Sequence, residues 1–174
     1  MIFFFHLLEK MKKFLFFNPN GKEIEIGISS ERILRNQKVE INTIGFRMKK
    51  HFFYKGEFIS NRKNIFPNGR GKLCIVDDST ERIIYEGNWL KGKYHGTGKS
   101  YFDDGKIKYD GKWENHLQND KKGTFYHQSN EKKYYRGEVV NGKIDGKGTY
   151  YDTNGKRIYL GEVQNDRRSG KGSE

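Results

Sequence analysis

The sequence contains little cysteine, little proline and few hydrophobic residues. Of its 174 residues only one is cysteine and two are proline, and hydrophobic residues make up 33%. A single cysteine, Cys74, excludes an internal disulfide and a zinc site built from several thiolates. A chain that is rich in Gly, Tyr and Phe but poor in Leu, Ala and Pro does not suit a helical bundle or a doubly wound α/β core. The length suits one domain, since domains commonly have roughly 100–200 residues.

Long hydrophobic runs are also missing. Residues 1–17 hold two apolar clusters separated by charged residues, and neither reaches the roughly 18–20 apolar residues of a membrane-spanning helix. Positive charge does not precede an apolar stretch of sufficient length, as a signal peptide requires. Three interpretations stay open: a hydrophobic first strand, an anchor at a membrane surface, and a true start at Met11 that makes residues 1–10 an extension. We expect a cytoplasmic protein, either free or peripheral at the inner face of a membrane.

The chain is rich in aromatic residues, glycine and positive charge. Phe, Trp and Tyr reach 15%, 21 residues are glycine, and the net charge is +12. Disordered chains are poor in aromatic residues, so this composition indicates a folded protein. Glycine together with Tyr and Phe is typical of many short strands separated by turns.

The sequence contains an internal repeat, marked by a Tyr-x-Gly triplet that occurs five times. The tyrosines of these triplets are Tyr54, Tyr85, Tyr109, Tyr135 and Tyr159. A Gly-x-Gly marker follows each triplet except the third, where Lys121 replaces the first glycine. Turn signals at residues 103–105, 129–130 and 153–155 separate the later units. Self-similarity at a near-constant period predicts a repeat array.

Alternation within each unit predicts strands. In the second unit Tyr85, Gly87 and Trp89 have a period of two, which places all three on one face of a strand. We predict that each unit is a strand, a loop around Gly92 or Gly142, a second strand and a two-residue turn such as that at residues 104–105. Antiparallel stacking of these units predicts one long sheet.

The unit that begins with Tyr85 and ends with Gly105 resembles the MORN (membrane occupation and recognition nexus) repeat. It has that repeat's Tyr-x-Gly-x-aromatic strand, His-Gly-x-Gly segment and Asp-Gly turn. The resemblance implies an all-β fold, an elongated single antiparallel sheet of stacked β-hairpin (MORN) repeats with a degenerate N-terminal segment.

The resemblance also suggests how the chain is divided. Residues 1–17 are a hydrophobic and basic segment, residues 18–53 a degenerate repeat or cap, and residues 54–172 about five MORN repeats, the last one truncated. Within the cap, residues 30–38 suit either a short helix or an edge strand.

Glycine inside a strand usually weakens it, so its repetition indicates a purpose. A glycine leaves a slot that an aromatic ring on the neighbouring strand can cover. We therefore predict that the rings form the core; an exposed stripe of rings for recognition is the alternative. The repeat-packing aromatic residues are Tyr85, Trp89, Tyr109, Trp113, Tyr135 and Tyr159. The repeat glycines are Gly56, Gly71, Gly87, Gly96, Gly98, Gly111, Gly123, Gly137, Gly146, Gly148 and Gly161.

Nothing in the sequence points to catalysis. The five histidines have no metal-binding spacing and no cysteine pair accompanies them. The serines lie in no nucleophile-elbow context. We expect no catalytic residue, no metal and no cofactor. The resemblance implies a scaffold or adaptor that binds another protein, alone or at an anionic membrane surface.

Basic residues concentrate in the predicted loops, which would lie along one edge of the sheet. The candidate contacts to an anionic partner are Lys91, Lys93, Lys121, Lys122, Lys143, Lys147, Arg167 and Arg168. Lysines attract anionic phospholipid by about 1 kcal/mol each, so direct phospholipid binding is the first alternative to a protein scaffold. The charge equally suits solubility alone. Single-stranded nucleic acid is less expected, because the rings that would stack on bases are assigned to packing.

The last unit stops shortly after its second glycine, so we expect residues 159–163 to form an unpaired edge. That edge is a candidate contact for a homodimer; a fragmentary chain and a frayed end are the alternatives. Residues 139–143 also resemble looser Tyr-x-Asn-Gly-Lys repeats of bacterial proteins. Some of those are linked to toxin–antitoxin pairs, which leaves an antitoxin-like repeat protein as a further alternative.

Overall fold

The chain folds into strands and turns, as a computed structural model shows for residues 13–17, 23–27, 39–42, 50–60, 64–77 and 80–173. Side chains are described from Tyr54 onward, apart from residues 60–65, 76–79, 171 and 174. These ranges contain no helix, which confirms the predicted all-β class. Residues 1–10 and 30–38, for which alternatives were open, lie outside the described residues.

Fourteen strands in the described ranges belong to one sheet. They are β1 (Lys13–Phe17), β2 (Glu23–Gly27), β3 (Val39–Asn42), β4 (Lys50–Ser60), β5 (Asn64–Asp77), β6 (Thr80–Leu90), β7 (Lys93–Tyr101), β8 (Ile107–Glu114), β9 (Leu117–Gln118), β10 (Asp120–Tyr126), β11 (Lys133–Val140), β12 (Lys143–Tyr151), β13 (Arg157–Gln164) and β14 (Arg167–Ser173). From β4 onward each strand pairs antiparallel with the next, apart from the short β9, which pairs with β8 while β10 pairs with β8 and β11. This confirms the predicted antiparallel sheet of stacked hairpins; a short parallel pairing of β1 with β5 is an addition to it.

The strand register brings glycine opposite glycine along the sheet. Gly56, Gly71, Gly87, Gly98 and Gly111 are successive partners from β4 to β8. Gly123, Gly137, Gly148, Gly161 and Gly172 continue the line from β10 to β14. We refer to these ten residues as the glycine row. The glycine row leaves a line across the sheet without side chains, and the aromatic rings of the core pack against this line on one face.

The turns differ from the prediction. We predicted a longer loop inside each unit and a two-residue turn between units, and the structure has the reverse arrangement. The two-residue turns lie inside the units, at residues 91–92, 115–116, 141–142 and 165–166, and both residues of each have positive φ. This is the type I′ geometry that matches strand twist. The connection at residues 103–105 has three residues: Gly105 donates its N–H to the Phe102 carbonyl at 3.0 Å and adopts a φ of 84°. We call the edge formed by the four two-residue turns the turn edge.

The prediction that residues 159–163 are an unpaired edge is wrong. Strand β14 pairs with β13, with Gly161 opposite Gly172 and Gln164 opposite Arg167. The turn between them, Asn165 and Asp166, contains no glycine, yet both residues adopt positive φ. Asn and Asp tolerate this region better than other residues with side chains, so the hairpin closes without the expected signal.

Candidate functional site

One face of the sheet carries the hydrophobic core. We call it the inner face; it holds the five triplet tyrosines, whose exposure is between 0% and 6%. All six residues singled out for packing lie here and are buried: Tyr85, Trp89, Tyr109, Trp113, Tyr135 and Tyr159. The inner face is therefore occupied by its own rings.

Each triplet tyrosine lies over the glycine row. A Cβ atom added to Gly98 would overlap the ring of Tyr85, which starts on the neighbouring strand. The same relation joins four other pairs. They are Tyr54 with Gly71, Tyr109 with Gly123, Tyr135 with Gly148, and Tyr159 with Gly172. The ring thus replaces the missing side chain, and this explains why a strand tolerates glycine at these positions.

The tyrosine hydroxyls have a second role, which the sequence did not predict. Each donates a hydrogen bond to the carbonyl three residues further along its own strand, over 2.7–3.1 Å. For Tyr54, Tyr85, Tyr135 and Tyr159 the accepting residue lies at a register shift between strands. A β-bulge leaves backbone groups outside the ladder, and the hydroxyl satisfies one of them. Burial raises the pKa of Tyr54, Tyr85, Tyr109 and Tyr135, which keeps these hydroxyls protonated as donors.

The two tryptophans join neighbouring units. Trp89 packs edge-on between Tyr54 and Tyr85, with both ring centroids 5.2 Å away. Its Nε1–H donates to the Gly71 carbonyl of the preceding unit at 3.0 Å, and Trp113 makes the same bond to Gly98. The triplet tyrosines therefore form their hydrogen bonds within a unit, whereas the two tryptophans form theirs between neighbouring units.

Several core residues were not among the predicted ones. Tyr94 is 3% exposed and stacks on Tyr85 with centroids 3.8 Å apart. It faces Trp89 across the turn at residues 91–92, so correct placement of that turn would have identified it. The other buried hydrophobic residues outside the predicted set are Tyr54, Leu73, Cys74, Phe125, Val139, Ile144 and Val163.

The opposite face, the outer face, carries a groove of about 1140 Å³ across β4 to β8. Four members of the glycine row, Gly56, Gly71, Gly87 and Gly98, line its floor, and its walls are mostly charged residues. Three ion pairs line it, Lys55–Glu81 at 3.1 Å, Lys72–Glu86 at 3.0 Å and Lys99–Asp110 at 3.5 Å. Their side chains are 37–46% exposed, and exposed pairs contribute only about 0–1 kcal/mol. A partner can therefore compete for these charges at small cost.

The structure divides the eight predicted basic contacts among three places. Lys91, Lys93, Lys143 and Arg167 lie at the turn edge, while Lys121, Lys122 and Lys147 lie within β10 and β12. Arg168 places its guanidinium 4.9 Å from the centroid of the Tyr159 ring and 5.5 Å from that of Tyr150. The structure therefore brings only part of the predicted row of charge together.

The turn edge is held by hydrogen bonds from each turn to the preceding unit. The turn residues Gly92, His116, Gly142 and Asp166 donate their N–H groups to carbonyls of the hairpin before them, over 2.8–3.1 Å. Carboxylates contribute as well, because Ile144 N–H donates to Asp166 Oδ1 at 2.8 Å and Asn165 N–H to Asp145 Oδ2 at 3.3 Å. The turns thus form a continuous and ordered ladder.

His116 belongs to this ladder. Its Nδ1 accepts a hydrogen bond from the Tyr94 N–H at 3.4 Å, and its ring packs edge-on against Tyr94. Burial, with Lys93 adding repulsion, lowers the pKa of His116 to about 4. The neutral ring is the form that this turn requires.

Within the described residues no three His, Cys, Asp or Glu side chains group to hold a metal ion. Burial and the nearby Glu81 raise the pKa of the Cys74 thiol to about 11. The same part of the chain contains no helix long and apolar enough to cross a membrane.

Comparison with known families matches three of the five repeat units, those that begin at Tyr85, Tyr135 and Tyr159. The family model of the MORN repeat matches residues 85–107, 135–157 and 159–174. No curated protein matches the chain. Each matched segment begins at a triplet tyrosine inside the first strand of a hairpin and continues through the second strand, for β6 with β7, β11 with β12 and β13 with β14.

Proposed function

The chain is a MORN-repeat protein, and on this premise we propose that it is a non-enzymatic scaffold that binds another protein on the outer face of its sheet. The observation that carries the proposal is the division between the faces. The inner face uses its rings to cover the glycine row, whereas the outer face presents an open groove of about 1140 Å³.

The groove suits a protein segment better than a small molecule. Small-molecule sites are concave and mostly apolar, with a few polar groups. This groove is open and is lined by both signs of charge, including Arg70, Glu57 and the three ion pairs. Regularly spaced charges of both signs favour recognition of a charged polypeptide, since electrostatic complementarity gives specificity.

Site-specific photo-cross-linking tests the proposal. A photoreactive amino acid at Thr97, in the groove, is expected to give a discrete adduct with a partner in cells, whereas the same group at Thr153, in a turn outside the groove, is not. Lys99→Glu should abolish the Thr97 adduct, and Lys156→Glu, on an exposed residue outside the groove, should not. Equal adducts at both positions, or none in the groove, would overturn the proposal.

Direct binding of anionic phospholipid is the second candidate. It is favoured by the basic residues that the turn edge carries, Lys91, Lys93, Lys143 and Arg167. Each would contribute about 1 kcal/mol near an anionic surface. Sedimentation with phosphatidylcholine vesicles, with and without phosphatidylserine, tests it. Binding should require phosphatidylserine, decrease with salt and be lost on replacing Lys91, Lys143 and Arg167 by Ala.

A further inference from the structure

The charge pattern of the outer face changes between the two halves of the sheet. One row of outward side chains crosses the strands, with each residue directly opposite the next. From β5 to β12 this row consists of Lys72, Glu86, Lys99, Asp110, Thr124, Arg136 and Thr149. Its first four members include two of the ion pairs of the groove. Beyond Asp110 the alternation of charge ends, and Arg136 lies between two threonines.

Arg136 has no anionic partner in the described part of the chain. The residue is exposed, and its guanidinium forms neither an ion pair nor a hydrogen bond there. Two carboxylates flank it, and both are engaged elsewhere. Asp110 pairs with Lys99 at 3.5 Å, and the Glu138 carboxylate fills the space that a side chain at Gly146 would occupy. The charge of Arg136 is therefore available to a partner.

Hydroxyl groups surround this charge. The cross-strand partners of Arg136, Thr124 and Thr149, are half-buried, and each can donate one O–H. Tyr126 lies two residues after Thr124 on the same strand and therefore on the same face. Burial, followed by the charge of Asp110, raises the pKa of Tyr126, whereas the charge of Arg136 acts in the opposite direction. The Tyr126 hydroxyl is thus a protonated donor within reach of the Arg136 charge.

The second unit shows how an acidic residue at this place is used. There the outer-face Tyr101 donates its hydroxyl to Glu86 Oε2 at 3.3 Å, so the chain supplies the acceptor itself. In the fourth unit the equivalent residues are Tyr151 and Arg136, because the middle residue of the Tyr-x-Gly triplet is basic. Lys133 adds a second positive charge, with its Nζ 4.3 Å from the centroid of the Tyr151 ring. Replacement of the acid by a base leaves donors and positive charge at this place, which favours an anion from another molecule.

A single anionic group fits this place better than a membrane or a nucleic acid. A flat anionic surface that covers Arg136 would also meet the carboxylates of Asp110 and Glu138. Bases of a single strand stack on free aromatic faces, whereas the ammonium group of Lys133 lies over the ring of Tyr151. A phosphorylated side chain carries about two negative charges and three acceptor oxygens, which match two basic groups and several hydroxyl donors.

We infer that Arg136 and its neighbouring hydroxyls bind a phosphorylated side chain of the partner protein. The hydroxyls are those of Thr124, Tyr126 and Thr149. Arginine pairs with phosphate through two parallel N–H donors, and the hydroxyls serve the remaining oxygen. The site continues the groove, because Asp110 lines the groove and is the cross-strand partner of Thr124. This inference rests on the proposed scaffold function and adds a phosphorylated residue as the partner's recognition element.

Titration of the isotope-labelled full chain with three short peptides, followed by NMR, tests the inference. The peptides share Gly and Ala flanks and differ at one central residue, which is phosphoserine, Glu or Ser. The phosphoserine peptide should shift amide signals of β10 to β12 and bind about tenfold or more tightly than the Glu peptide, because phosphate carries more charge and one more acceptor oxygen. The Ser peptide should cause no shift.

Two variants separate this site from general attraction by positive charge. Arg136→Gln should weaken binding of the phosphoserine peptide by about tenfold or more, since it removes the charge-assisted hydrogen bonds. Lys112→Gln removes one positive charge from an exposed outer-face residue on β8, outside the site, and should leave binding unchanged. Both variants replace exposed residues, so neither should change the melting temperature.

Equal affinity for the phosphoserine and Glu peptides, no shift in β10 to β12, or equal effects of the two variants would overturn the inference. Tighter binding of phosphatidylserine vesicles or of oligothymidine through Arg136, at the same phosphate concentration, would overturn it as well. If the Thr97 adduct forms in those cases, the scaffold proposal stands and only the phosphate site is refuted.

Discussion

Each repeat tyrosine combines two functions that are normally carried by separate residues. The ring of Tyr85 covers Gly98, and its hydroxyl satisfies the Asn88 carbonyl at 2.8 Å. The sequence predicted the first function, because the period of two and the recurring glycine are visible in it. It did not predict the second, since the accepting carbonyl is released by an irregularity of pairing between Gly87 and Trp89. Such an irregularity depends on both strands and leaves no mark in one of them.

Gly98→Val should destabilise the protein by about 1–3 kcal/mol, because the new side chain forces the Tyr85 ring out of its place. Urea denaturation followed by tryptophan fluorescence measures the loss. Gly105→Asn is the control: an added Cβ there meets nothing within 4 Å, and Asn tolerates the φ of 84°. Equal stability of Gly98→Val and the unaltered protein would refute the covering role.

Tyr135→Phe should lower the free energy of unfolding by about 0.5–1.5 kcal/mol, because it removes the hydroxyl and keeps the ring over Gly148. The change removes the 2.9 Å bond to the Glu138 carbonyl and leaves that carbonyl without its donor. Tyr151→Phe, on a half-buried outer-face residue, is the matched comparison and should be nearly neutral. A larger loss from Tyr151→Phe than from Tyr135→Phe would contradict the assigned role of the hydroxyl.

The two-residue turns define the hairpins, and their positions were not predicted correctly from the sequence. Asn141 with Gly142 is a familiar signal for a type I′ turn, yet the prediction from sequence was a loop there and a tight turn at Asp104 and Gly105. His116 and Asp166 adopt the same positive φ without glycine. Bonds to the preceding hairpin stabilise these turns, and a bond to another unit is not visible in the local sequence.

His116 makes stability depend on pH. Its pKa is lowered from 6.5 to about 4 in the folded chain, so the unfolded chain binds the proton more readily. The stability it contributes is complete above about pH 6.5 and is lost as the pH falls toward 4. Because the ring is partly exposed, we expect a loss on the order of 1 kcal/mol.

The comparison of the unaltered protein with His116→Asn isolates this effect, since Asn suits the φ of 73° and does not titrate. Melting temperatures of both proteins between pH 7 and pH 4 should converge as the pH falls. Parallel melting curves over the whole range would exclude His116 as the source.

In the whole array, tyrosines stabilise each unit and tryptophans connect units. Trp89 and Trp113 bind the carbonyls of Gly71 and Gly98, whereas the fourth and fifth units have Val139 and Val163 at this position, which pack but cannot donate. The sequence predicted one sheet of hairpins because the repeat itself is long and regular. It could not predict the glycine row, because the pairing of each glycine with the next requires the register of every hairpin.

Trp113→Ala should therefore destabilise the protein by about 3–5 kcal/mol and weaken the link between the second and third units. Hydrogen exchange should increase on both sides of the link, in β7 and β8. Val163→Ala, in the last unit, should raise exchange only in β13 and β14. Uniform exchange in both variants would show that the array opens as one body and not at its junctions.

The covering of each unit's glycine by a ring from the same unit has an evolutionary consequence. A duplicated gene segment that encodes one hairpin also encodes the tyrosine that covers its glycine. An inserted copy can therefore pair with the neighbouring strands in the same way as the hairpin from which it was copied. Lineages can lengthen or shorten such a protein by whole hairpins and adjust the reach of the outer face without redesigning any existing contact.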